Sequence, residues 1–389
     1  MRNSVENDVK FLIGDTALEN LMFELRLNGC KTPMLVCDDM ANRLGYKREL
    51  FRAVDGSDCD LAYIDQKIAD IATIDDVERI ARAYVAGGCD CIIGLGRKAV
   101  VQTTKCAKVL LREGVSNLSH YDDCPIGKYP VRDVPLFLVP TNFASGSECS
   151  DTARVYDTKR NKIYSFDTSY ASTQVVVVDK RMTDIVPPKA IASYGLCAFA
   201  MACAGYLYES QVFSKPYAEA AIELLNDTLI PCIVHNADRS KRTSMMAAVV
   251  LAGCGYGNLH KHLLTEMTDA ISDRYRINYN NVFAILFRQY VRLHDNDPQL
   301  MSELLASLIG EHECAMCTRA GRPAKTLETI EQVYANVSEV VDYHERLSTM
   351  GVERSHFAAL AQQVIATHGD KSDPEAAYSF LSQWLERCY

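Results

Sequence analysis

The N-terminus has no apolar stretch. Met1-Arg-Asn-Ser-Val-Glu-Asn-Asp8 lacks the hydrophobic region of a secretory leader, so no signal peptide is expected and a cytoplasmic location is. Nor does any apolar run read as long enough to cross a bilayer, which argues against a membrane as partner. Excess positive charge is missing too. The net charge is −9 and the acidic residues are dispersed, which disfavours nucleic acid and anionic membrane. The densest basic cluster, Arg239-Ser-Lys-Arg242, reads as a solvated helix end. Internal repeats and low-complexity segments are absent.

Cysteine is plentiful, but its 15 copies are odd in number and irregular in spacing. That suits reduced thiols, many of them small core residues, rather than a disulfide framework. In His312-Glu-Cys-Ala-Met-Cys317, Cys314 and Cys317 would share a helix face with His312 nearby. A structural zinc needs four ligands, and no second CxxC or HxxxH accompanies them, so they read as ordinary thiols. Cys89-Asp-Cys91 alternates as a buried strand would.

The 389 residues suit two domains, each with a real core. In the first half, apolar runs at Pro33-Met-Leu-Val-Cys37, Asp60-Leu-Ala-Tyr-Ile64, Cys89-Asp-Cys-Ile-Ile93 and Asp133-Val-Pro-Leu-Phe-Leu-Val139 alternate with segments of helical spacing. Those segments are Thr73 to Ala86 and Lys98 to Arg112. Such alternation predicts a parallel sheet flanked by helices, with ligands at the carboxyl ends of strands. The turns after Cys37, Ile93 and Val139 are therefore the expected binding edge. Short strands follow at Ala153 to Tyr156, Lys162 to Ser165 and Gln174 to Val178, then Pro187-Pro188 breaks the chain. Everything beyond reads as helix. The expected division is an α/β domain over 1–186 and an all-α domain over 187–389, with a cleft between them.

Pro140-Thr-Asn-Phe-Ala-Ser-Gly-Ser-Glu148 resembles the PTTxGTGSE loop of the iron-containing (group III) alcohol dehydrogenases. Val175-Val-Val-Val-Asp179 with Val186-Pro-Pro188, Gly253-Cys-Gly-Tyr-Gly-Asn258 and Leu347-Ser-Thr-Met-Gly351 are similar to further segments of that family, in the same order. The resemblance implies a dehydroquinate synthase-like fold: a Rossmann-like nucleotide-binding domain followed by a helical domain, in a protein expected to be a homodimer. It also implies NAD or NADP as cofactor. Asp38 stands where the family holds the adenosine ribose, a role that suits NAD and repels a 2′-phosphate. A strand-end aspartate capping a turn is the plainer reading.

Gly96-Arg-Lys-Ala99 matches the family's GGGS phosphate turn, with Arg97 and Lys98 in place of glycines. A phosphate would be held there by side chains rather than backbone; alternatively, both residues are merely exposed. Thr141, Asn142 and Ser145 stand at nucleotide-contacting positions, and Glu148 matches the loop's glutamate. The plainer reading is a turn in which Ser145 or Ser147 caps the next helix. Lys162 sits where the family's lysine reaches the nicotinamide ribose.

The metal positions differ. Gly195 to Gly205 corresponds to the family's GmDAlxHaxEa segment, but its aspartate and histidine are here Cys197 and Met201. The third and fourth ligands fall on Thr265 and Tyr279, and a further family histidine on Asp269. His262, with His260 beside it, could complete at best a two-ligand site with Cys197, too few for tight iron or zinc. No catalytic metal is expected.

Without one, a hydrogen-bond donor must handle the charge on the reacting oxygen. Tyr279 is the candidate, with Lys162 or His262 assisting and Asp269 as base or orienting group. Maleylacetate reductases, which resemble this family, give a partial precedent for metal-free reduction. Two functions follow: a metal-independent NAD(P)-dependent oxidoreductase acting on a small carbonyl or hydroxy compound, or a non-catalytic relative that binds a ligand or partner. A third reading is metal-free carbonyl chemistry, such as a lyase, on a phosphorylated substrate.

Overall fold

The computed structural model describes residues 9–55, 61, 63–113, 134–160, 162–183, 185–208, 214–235, 239–257, 262–294, 296–368 and 373–389. They form two compact units: Met1–Val186 with Arg242–Asn258, and Pro187–Lys241 with Leu259–Tyr389. The segment Arg242–Asn258, expected in the helical half, thus groups with the α/β half.

The first unit is built on six parallel strands: β1 (Lys10–Gly14), β2 (Pro33–Asp38), β3 (Tyr63–Ile68), β4 (Cys91–Gly96), β5 (Leu136–Pro140) and β8 (Val175–Asp179), in the order β1-β8-β5-β4-β2-β3. The central strands are apolar on both faces because both are covered. Odd positions such as Leu35, Cys37, Ile93, Leu95, Phe137, Val139 and Val177 join one core with Leu18, Leu25 and Leu50. Even positions such as Met34, Val36, Ile92, Leu138 and Val176 are equally buried. Strands β6 (Thr152–Asp157) and β7 (Lys162–Asp167) form a separate antiparallel pair.

Several strands begin later than the apolar runs suggest. β4 continues through Gly94 and Gly96, which read in sequence as a turn. Gly94 belongs to the ladder because the space above it is taken. A Cβ there would lie 2.9 Å from Leu138 and 3.2 Å from Thr104 of α5 (Lys98–Glu113), so its absence lets the helix settle on the sheet. β3, at the edge of the sheet, begins at Tyr63 and includes the polar Asp65, which blurs its pattern in sequence.

The chain leaves β2 for β3 on one side and β4 for β5 on the other. The strand order therefore reverses between β2 and β4, the place where open α/β sheets bind ligands. Asp38 ends β2 there and Gly96 ends β4.

The second unit is helical. Among its described helices are α6 (Pro188–Tyr208), α7 (Ser214–Val234), α9 (Leu263–Tyr275), α10 (Tyr279–Leu293), α13 (Arg322–Val340), α14 (Phe357–His368) and α15 (Pro374–Cys388). α6 packs on α7 and α10, and α9 packs on α10 and α14. Trp384 of α15 is fully buried and its indole N–H donates to the Leu286 carbonyl at 2.9 Å. α6 corrects one expectation. At 21 residues and a mean hydropathy of 1.6 it is long and apolar enough to cross a membrane. Its apolar residues point in all directions because 89% of that window is buried within the fold, as in a core helix.

Within the first unit, helix α8 (Arg239–Tyr256) meets the loop after β5 at a glycine pair. A Cβ on Gly253 would stand 2.4 Å from the Gly146 Cα and 2.8 Å from its carbonyl oxygen. Backbone cannot yield as a side chain would. Gly253→Ala is therefore expected to destabilise the protein by about 1–3 kcal/mol, measured as a lower urea midpoint with an unchanged m-value.

Candidate functional site

At the switch between β2 and β4, Asp38 is 1% exposed and both its oxygens are engaged. Oδ1 accepts from the Ala41 N–H at 2.8 Å, capping the short helix α2 (Asp39–Arg43). Oδ2 accepts from the Arg97 Nε–H at 3.0 Å and, more weakly, from its backbone N–H at 3.4 Å. The Arg97 guanidinium also donates to Asp70 at 2.7 Å. The carboxylate expected to hold a ribose is thus a turn cap and an ion-pair partner, in line with the plainer sequence reading. Lys98 opens α5 directly after this cluster.

The loop after β5 is tightly folded. Thr141 N–H donates to the Gly96 carbonyl at 3.0 Å, and Asn142 N–H to the Met182 carbonyl at 2.9 Å. Asn142 and Ala144 have φ of 62° and 66°, and Gly146 follows at 78°. Two non-glycine residues held in the left-handed region cost energy that the surroundings must offset. Part of that offset lies in Glu148, 1% exposed, which turns back into its own loop. It accepts from the Ser145 N–H at 3.1 Å and from the Ser145 hydroxyl at 3.0 Å. Ser145 Oγ lies 2.6 Å from Ser147 Oγ. The short turn Ser147–Cys149 receives no side-chain cap, so the expected capping role of these serines becomes bonding within the loop.

Lys105, absent from the sequence-based candidates, lies beneath the loop. It is fully buried on α5, and its ammonium donates to the carbonyls of Ser147, Ser150 and Thr152. Burial pulls its pKa down from 10.5 to about 8, with Glu148 acting in the opposite direction. A clue was present in sequence: Lys105 and Lys108 are interleaved with the apolar Val101, Cys106, Ala107 and Val109 of α5. Lys108 likewise donates to the Ser172 carbonyl at 2.7 Å. Of Lys162 the backbone is described, opening β7 opposite Asp157.

In the helical unit, Cys197 and Met201 lie on one face of α6, 3% and 6% exposed. Thr265 and the buried Asp269 lie on α9. Tyr279 is the first residue of α10, half-buried, its ring stacked on Phe283 at 6.0 Å. The start of α10 is tied to α6, because the Asn278 side chain that caps Asn281 N–H also accepts from Ser193 Oγ at 3.3 Å. His262 caps α9, its Nδ1 accepting from Leu264 N–H at 3.2 Å, and its ring packs on Tyr208 and Tyr290. That ring nitrogen is committed to the helix end. His260 and Asn258 lie outside the described residues.

Among the described residues, the one group of three metal-binding side chains with mutually close ligand atoms is elsewhere: Cys30, Asp90 and Cys91 in the α/β unit. His312 is exposed, while Cys314 and Cys317 direct their thiols to the carbonyls of Ser302 and Glu313.

Residues 9–180 match the model of the iron-containing alcohol dehydrogenases, and residues 192–379 match that of the Fe-containing alcohol dehydrogenase family, C-terminal. The chain belongs to the iron-containing alcohol dehydrogenase family. It is similar to the sulfoacetaldehyde reductase of Bilophila wadsworthia, 24% identical over 76% of this chain and 75% of the relative. Among solved structures, an alcohol dehydrogenase from Oenococcus oeni superposes with a TM-score of 0.83 at 18% identity, covering 98% of each chain. The sulfoacetaldehyde reductase of Bifidobacterium kashiwanohense, solved in complex with NAD+, gives 0.80 at 16% identity, covering 100% of this chain and 99% of its own. The parallel-sheet α/β unit and helical unit are the fold of this family, and its named relatives are alcohol and aldehyde oxidoreductases.

The Lys105 geometry has a pH signature. A lysine whose folded pKa lies below its unfolded value binds fewer protons when folded. Its contribution to stability is therefore least favourable below pH 8 and improves as pH rises from about 8 toward 10.5. The difference in unfolding free energy between wild type and Lys105→Met, followed by urea titration across that range, is expected to grow by on the order of 3 kcal/mol.

Proposed function

We propose that this chain is a metal-independent, NAD(P)-dependent oxidoreductase acting on a small carbonyl or hydroxy compound. The observation that carries the dinucleotide half is the braced loop. The strained turn from Thr141 to Glu148, held from below by a buried ammonium, stands beside the sheet's switch point. A chain with no use for that edge has no reason to maintain two left-handed non-glycine residues and a desolvated lysine there. Gly96, Arg97, Lys98, Thr141, Asn142 and Ser145 would hold the dinucleotide. When bound, it supplies or accepts the hydride at the substrate carbon.

The metal-free half rests on donor chemistry. The positions that would hold iron carry a thiol, a thioether, a hydroxyl and a phenol. Met201 and Thr265 are weak ligands, and Cys197 and Tyr279 would each have to ionise to bind, Cys197 within the buried α6 core. Such a set does not fit a divalent iron site, which is served by imidazole and carboxylate. His262 offers no remedy through Nδ1, which caps α9.

The reaction then needs a proton donor where the family uses a Lewis acid. In the reducing direction, Tyr279 would give its phenolic proton to the substrate oxygen as hydride arrives at carbon. Its place at the start of α10 favours the phenolate left behind, since helix N-termini stabilise negative charge. Asp269 would orient the substrate hydroxyl. The named aldehyde reductase among the relatives makes short polar aldehydes the first substrates to test.

Chelator-treated protein is expected to oxidise NADH or NADPH in the presence of a short aldehyde, followed at 340 nm, with no gain on adding Fe2+ or Zn2+. Tyr279→Phe should lower kcat by about 100-fold while leaving dinucleotide affinity unchanged. Activity that appears only with added metal would contradict the metal-free reading.

A further inference from the structure

The carboxylate and guanidinium at the end of β2 are arranged in a way that bears on which dinucleotide this edge selects. The usual discriminator is simple. An exposed carboxylate at this point accepts from the ribose 2′-hydroxyl and repels a 2′-phosphate, whereas an arginine accommodates the phosphate. Here Asp38 is present but is not what a ligand would meet. Its side chain is 1% exposed, while the Arg97 side chain bonded to it is 32% exposed. The group presented to solvent is the guanidinium.

Asp38 fixes that guanidinium from behind through Arg97 Nε. The second carboxylate on Arg97 is different in kind. Asp70 is 83% exposed, so its ion pair is screened by water and easily exchanged for another anion. Arg97 thus has one buried partner that sets its orientation and one surface partner that an incoming phosphate can replace. Planar guanidinium groups suit such two-point binding of phosphate oxygens. The next residue, Lys98, opens the 16-residue helix α5, so its charge and the helix N-terminus lie on the same side of the strand end.

We infer that Arg97, oriented by buried Asp38, forms a subsite for the 2′-phosphate of a dinucleotide, so that the chain takes NADP(H) in preference to NAD(H). This rests on the dinucleotide-binding reading above and reverses the preference that Asp38 suggests in sequence. It also departs from the relative solved with NAD+.

Fluorescence titration of the full chain with NADPH and with NADH tests it. NADPH is expected to bind at least about 10-fold more tightly, the effect of a charge-assisted contact, and 2′,5′-ADP to displace it about 10-fold better than 5′-ADP. Arg97→Leu should reduce NADPH affinity about 10-fold more than it reduces NADH affinity, so that the preference is lost; Arg97→Lys should retain part of the preference. If Arg97→Leu fails to fold, because it leaves Asp38 without its buried partner, the comparison of 2′,5′-ADP with 5′-ADP on wild type still decides. NADH binding as tightly as NADPH, or more tightly, overturns the 2′-phosphate subsite while the oxidoreductase reading stands. Binding of neither dinucleotide removes the oxidoreductase reading, and this subsite with it.

Discussion

One buried ammonium organises the α/β unit's binding edge. Lys105 reaches up from α5 to the carbonyls of Ser147, Ser150 and Thr152, and those carbonyls belong to the stretch that closes the loop after β5. A charged lysine without water is costly, and its depressed pKa records that cost. What it provides is a fixed anchor, a charged donor to three carbonyls beneath a strained turn. The same stretch accepts the close approach of α8 at Gly146 and Gly253, and it supplies Glu148 to bind its own Ser145. Loop, helix and sheet edge are therefore one mechanical assembly.

The sequence made the architecture readable because both of its periods are strong. The apolar runs of β2, β4, β5 and β8 stand out, and α4 (Ile74–Ala86) carries its own start signal, with Thr73 capping the Asp76 N–H. Strand limits were less readable. Gly94 looks like a turn residue unless one knows that α5 lies over it. The edge of the helical half was also hidden, because α8 looks like its neighbours in sequence and differs only in what it packs against. Lys105 and the Arg97 pairings were hidden for a related reason. Their partners are 42 and 59 residues away, and no local pattern links them.

The two units hold their candidate residues in different ways. In the helical unit, Cys197 and Met201 belong to an apolar, largely buried helix, and His262 is occupied with a helix end and an aromatic cluster. These are packing solutions. In the α/β unit, Arg97 instead puts its charge into an ion-pair network that spans the carboxyl ends of three neighbouring strands, β4, β2 and β3. The helical unit thus holds these residues by packing, while the sheet edge holds its residues by charge and hydrogen bonds.

The central claim is that this edge still binds a dinucleotide, and that its shape depends on the ammonium below it. Titration calorimetry on chelator-dialysed protein tests this directly. A saturable heat with NADPH or NADH, markedly weakened in a folded Lys105→Met variant, is the predicted result. No heat from either dinucleotide with the wild-type protein would contradict it.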